Sequence, residues 1–168
     1  MKKAIYISLS LLLASLSGIS QTKQLELNDK VPYFTLPNQD GKTFNMKDSI
    51  GTKMLVIFFY PKSDNKKEAC AFSDSLSKFN EEGALVIGIS ENNTQKLKKF
   101  HDDNKLRFDL LSDPDKTVLR SFGVKENLLS DRITYIVNIA GEIVYKNYSL
   151  TDGKKHVAEA LKYLRETK

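Results

Sequence analysis

Residues 54–90 read MLVIFFYPKSDNKKEACAFSDSLSKFNEEGALVIGIS, and they decide the fold. The runs MLVIFFY (54–60) and ALVIGIS (84–90) are apolar, rich in β-branched and aromatic residues, and too short for helices. Strands covered on both faces have this character, so both runs belong in the middle of a sheet. Between them Ala69, Phe72, Leu76 and Phe79 recur at helical spacing. Asn65 and Glu68 stand in capping-box register at the start of that run, and Gly83 ends it. The spacing predicts strand, helix, strand, with a parallel crossover.

Working outward, TQKLKKFHDDNK (94–105) reads as a second helix leading to the short strand FDLLS (108–112). DPDKTVLRSFGV reads as a short helix begun at Asp113, with Pro114 in its first turn. RITYIVNIAGEIVYKNY is a hairpin hinged at AGE, and DGKKHVAEALKYLRE closes the chain as an amphipathic helix through Val157, Leu161 and Leu164. The order β-α-β-α-β-α-β-β-α implies an α/β fold: a mixed sheet with helices on both faces.

The first twenty residues combine a basic head, MKK, with an apolar run and small residues Gly18 and Ser20 before Gln21. This is the pattern of a secretory signal cut near Ser20, which predicts an exported, periplasmic or secreted protein without a membrane anchor after cleavage. The remainder, 24–168, has the length of one domain.

The whole chain carries 26 Lys and Arg against 21 Asp and Glu, a net of +5. Without Lys2 and Lys3 of the leader, 24 remain against 21, a net of +3. The basic residues are interleaved with acids, which argues against a nucleic-acid surface. His101 and His156 lie on separate helices without ligand spacing, so no metal site is expected and both histidines read as surface residues. No phosphate loop or Ser-His-Asp order is present, and no cofactor is implied.

Cys70 is the single cysteine, so no internal disulfide can form. At about 100° per residue it sits about 140° from the centre of the inward stripe and is expected to point outward. Lys66 at i−4 and Lys67 at i−3 place two cations on its side of the helix.

From about Leu25 to the C-terminus the chain resembles the peroxiredoxins of the AhpC/TSA family, bacterioferritin-comigratory type. LNDKVPYFTLPNQDGKTFNMKD resembles the family's N-terminal hairpin, FFYPK its first core strand, FDLLSDPDKTVLRSFGV its late loop and helix, and RITYIVNIAGEIVY its closing hairpin. The resemblance implies a thioredoxin-like fold and reduction of hydroperoxides by a cysteine thiolate, restored by a thioredoxin-like or small-thiol reductant, in a protein that is often a monomer.

The family's chemistry uses Pro-x-x-x-Thr-x-x-Cys, with Pro shielding the pocket and an arginine holding the thiolate. Pro61 and Arg132 match two of these positions. Counting forward from Pro61 places Asn65 where the Thr belongs and Glu68 where the attacking Cys belongs. Counting backward from EACAFSD instead gives Cys70 the place of the second, resolving cysteine, with a loop three residues short. Two readings follow: a one-cysteine peroxidase working through Cys70, Pro61 and Arg132, or a lapsed member serving as a binding domain. A dithiol oxidoreductase would need Cys-x-x-Cys, which the chain lacks.

Overall fold

The computed structural model describes residues 23–60, 66–124, 132–149 and 153–167; for Arg132 and Ser149 it describes the backbone only. The leader, Pro61 and Asn65 lie outside the described residues.

The two apolar runs are the central strands. β3 (Met54–Phe59) pairs in parallel with β4 (Ala84–Ser90), Met54 opposite Ala84, and antiparallel with β6 (Arg132–Val137). β5 (Asp109–Ser112) and β7 (Ile143–Ser149) complete a five-stranded mixed sheet in the order β5-β4-β3-β6-β7. β1 (Thr35–Pro37) and β2 (Thr43–Asn45) form a separate antiparallel pair.

Strand alternation divides the core. Leu55, Ile57 and Phe59 face Phe34, Phe122 and Tyr135, whereas Val56 and Phe58 face Phe72, Phe79, Leu161 and Leu164. Each such side chain, fully buried, contributes about 1.5 to 3 kcal/mol of transfer free energy. Phe58 stacks on Phe72 with ring centroids 4.4 Å apart, fixing the first helix over the sheet.

The expected single helix after β3 is two: α1 (Lys66–Asp74) and α2 (Leu76–Glu81). Ser75, at φ −98° and ψ 4°, breaks the run, and its N–H donates to Ala71 and Phe72 carbonyls. Asp74 and Ser75 are weak helix formers because their side chains compete for nearby backbone groups. Phe79, on α2, is fully buried, as its place on the apolar stripe expects.

α3 (Thr94–Asp103) is capped by Asn93, whose side chain accepts from Lys96 N–H at 3.0 Å. α4 (Thr117–Ser121) starts four residues later than the sequence suggests. Asp113 still caps it, across a turn in which Lys116 adopts φ 55°. Its carboxylate accepts from Thr117 N–H and Oγ1 and from the N–H groups of Val118 and Leu119.

The β6–β7 hairpin turns through Gly141 at φ 79°, where Asn138 Oδ1 accepts from Ala140 and Glu142 N–H. α5 (Gly153–Glu166) packs on α1 along the sheet face that holds Phe72. At the opposite edge Gln39 replaces a missing strand: Leu110 N–H donates to its Oε1 at 2.8 Å, and its Nε2 donates to Asp109 at 3.0 Å. This contact shields the β5 edge.

Candidate active site on α1

α1 carries three different environments within three residues. Ala69 is fully buried beneath the helix, as its place on the apolar stripe requires. Cys70 is half-buried. The sequence expects an outward thiol; in the structure Cys70 packs partly against the core cluster of Phe58 and Phe72 and lines a groove between α1 and α5. The groove encloses about 790 Å³. Its floor includes Ala71, Val157, Ala158 and Leu161, and its rim includes the exposed Lys66, Lys67, Lys78, Lys154 and Arg165 against the single acid Asp74. Arg165 also pairs with Glu82 at 3.6 Å.

The third environment is that of Glu68, which is fully buried. Its Oε1 lies 3.8 Å from Nδ1 of His156 on α5, also fully buried, and that nitrogen is 3.0 Å from Thr134 Oγ1 on β6. Gly153 makes the approach possible: a Cβ there would overlap Glu68 Cβ and stand 2.9 Å from Glu68 Cα. A carboxyl, an imidazole and a hydroxyl thus tie α1, α5 and the sheet together.

These contacts correct one expectation. His156 is interior, not a surface histidine, because it continues the buried stripe of α5 through Val157, Ala160 and Leu164. Glu68 lies on the buried side of α1, four residues before Phe72. His101 is exposed to 20% and lies 3.3 Å from Asp102. Among the described residues no His, Cys, Asp and Glu cluster could hold a metal.

Of the sequence-predicted residues, Cys70 is brought together with Lys66 and Lys67 at the groove. Arg132 begins β6, one residue before Ile133, which pairs with Phe59 at the end of β3. Its backbone therefore stands where the chain leaves the sheet toward Pro61. The Pro61 and Arg132 side chains lie outside the described residues.

The sequence profile of the AhpC/TSA family matches residues 27–146. The chain belongs to the AhpC/TSA peroxiredoxin family. The chloroplastic peroxiredoxin Q of Populus jackii is 36% identical over 168 residues, covering 94% of this chain and 78% of that protein. The crystal structure of peroxidoxin BcpB from Mycobacterium tuberculosis superposes with a TM-score of 0.80 at 31% identity, covering 86% of this chain and 99% of that one. Xanthomonas campestris peroxiredoxin Q gives a TM-score of 0.72 at 25% identity, covering 80% and 90%. The fold is accordingly the thioredoxin-like fold of this peroxiredoxin's bacterioferritin-comigratory relatives, as the sequence implied.

Proposed function

We propose that this peroxiredoxin is an exported, monomeric thiol peroxidase in which Cys70 is the attacking group. The observation that carries the reading is the placement of the chain's single sulfhydryl: half-buried in an open groove, reachable by both a peroxide and a reducing thiol. The Cys70 sulfur attacks one oxygen of ROOH, an S–O bond forms and the O–O bond breaks, and ROH departs with a proton. Lys66 and Lys67 supply positive charge on that side of α1, where an ammonium stabilises the developing alkoxide. The resulting sulfenic acid is returned to the thiol by two equivalents of external thiol, with loss of water. Export rests on the leader pattern of residues 1–20, and a mature N-terminus near Gln21, measured by intact-protein mass, is the expected result.

A second reading is favoured by Glu68. By the forward count from Pro61 this residue occupies the position of the family's attacking cysteine, and it is a buried carboxyl paired with His156. That reading is a binding domain without peroxide chemistry. One assay separates the two: turnover of hydrogen peroxide and an alkyl hydroperoxide with a thiol reductant, alongside Cys70→Ser and chemical trapping of sulfenic acid. Turnover and trapping that vanish in Cys70→Ser support the peroxidase. Equal background consumption by both proteins supports the lapsed member.

A further inference from the structure

We infer that the α1–α5 groove selects its reducing thiol by charge and chain: a small thiol with an apolar body and a distal carboxylate. This deepens the peroxidase reading by naming the chemical class of the reductant. The chain has one cysteine, so electrons must come from a second molecule that reaches Cys70. The groove opens a route to this sulfur; its floor is aliphatic and its rim sets Lys67, Lys78, Lys154 and Arg165 against Asp74. An alkyl chain fits Val157 and Leu161, and a carboxylate at its far end meets the cationic rim. A cationic thiol would meet like charge. The volume of about 790 Å³ is within the range of small-molecule sites, which run from about 300 to 1,000 Å³.

The step balances as follows. The incoming thiolate attacks the sulfenic sulfur, an S–S bond forms, the S–O bond breaks, and hydroxide leaves as water with one proton. A second thiolate of the same class attacks the incoming thiol's own sulfur in the mixed disulfide. Its disulfide is released and Cys70 is regenerated, the two thiols having supplied two electrons.

The test bypasses peroxide chemistry, so it can fail independently of the peroxidase reading. Cys70 of the mature protein is converted to a 2-thiopyridyl disulfide, and release of pyridine-2-thione is timed with 6-mercaptohexanoate, 6-mercaptohexanol and 6-aminohexanethiol. These share the chain and differ in terminal charge; 3-mercaptopropionate tests the need for chain length. At low salt the hexanoate is expected to react about tenfold faster than the alcohol, with the amine slowest, in keeping with electrostatic rate gains of 10-fold and more. The spread should shrink as salt rises and in K67E/K78E, while K99E, on α3 beside Asp103, should preserve it. Circular dichroism checks that each variant is folded. Equal rates for the three hexyl thiols, or an unchanged order in folded K67E/K78E, would overturn the inference. A propionate as fast as the hexanoate would overturn the role of the apolar floor. The expected order in a protein without peroxide turnover would uphold the groove's selectivity and sink the peroxidase reading instead.

Discussion

Glu68 and His156 are each unfavourable in an apolar interior and together make a seam. A carboxyl or imidazole buried on folding gives up the water it keeps in the unfolded chain, and only a partner at close range offsets that loss. With Oε1 and Nδ1 3.8 Å apart and Thr134 Oγ1 3.0 Å from the same nitrogen, the pair depends on both members. His156→Leu is expected to lower the urea unfolding free energy by about 3 kcal/mol, since breaking one side of a buried polar pair costs about 3 to 5 and a leucine regains some packing. Combined with Glu68→Gln, the losses should fall short of additive by at least about 1 kcal/mol in a double-mutant cycle. Strict additivity would show that the two residues do not interact. This pair was not legible in the sequence, because the stabilising quantity belongs to two residues 88 positions apart and each alone reads as a surface polar group. The setting of Cys70 was not legible: helical geometry alone expects an exposed thiol, and the packing of α5 half-buries it in a groove.

At the level of elements, the α1–α5 contact is set by Gly153 and the β4 interior by Gly88, and crowding the two should have different consequences. A Cβ at Gly153 meets Glu68 backbone and side chain, so an entire helix must move. A Cβ at Gly88 stands 2.7 Å from Phe58 Cζ and 3.0 Å from Leu110 Cδ2, inside the sheet face, and neither residue lines the groove. Gly153→Ala and Gly88→Ala are each expected to destabilise by about 1 to 3 kcal/mol, the usual range for overpacking. Only Gly153→Ala should also change the rate at which a thiol reagent labels Cys70 in the native protein, because it alters the groove wall. Equal labelling in both variants and the parent would show that the seam does not shape access to the sulfur. From residue 54 onward element type was readable, since buried strands and amphipathic helices have distinct periods. Element ends were not: the break shows only in the backbone of Ser75, at φ −98° and ψ 4°, and the late start of α4 in the N–H groups of Thr117, Val118 and Leu119 that donate to the Asp113 carboxylate.

Across the whole molecule, the same apolar runs that made the strand order readable also bury two tyrosines on opposite faces of the sheet. Tyr135, from β6, lies with Phe59 and Phe122, whereas Tyr60, just after β3, lies with Phe58 and Phe100. Burial pushes the Tyr135 hydroxyl up to about 12 and raises Tyr60 as well. The unfolded chain ionises its tyrosines near 10. A folded-state value raised above the unfolded one means that the stabilisation is complete below about pH 10 and is lost as pH climbs through the folded value. For Tyr135 a displacement of about two units corresponds to about 2 to 3 kcal/mol of stability lost between about pH 10 and 12. Urea unfolding at successive pH values should therefore show a steep alkaline limb. Tyr135→Phe should flatten it, as should Tyr60→Phe, and because the rings sit on different faces the two effects should nearly add. Lysine deprotonation is common to all the variants and cancels in the comparison. A limb equally steep in Tyr135→Phe would mean that this hydroxyl reaches water in the folded protein, and that the face of the sheet it shares with Phe122 is less tightly closed than its packing requires.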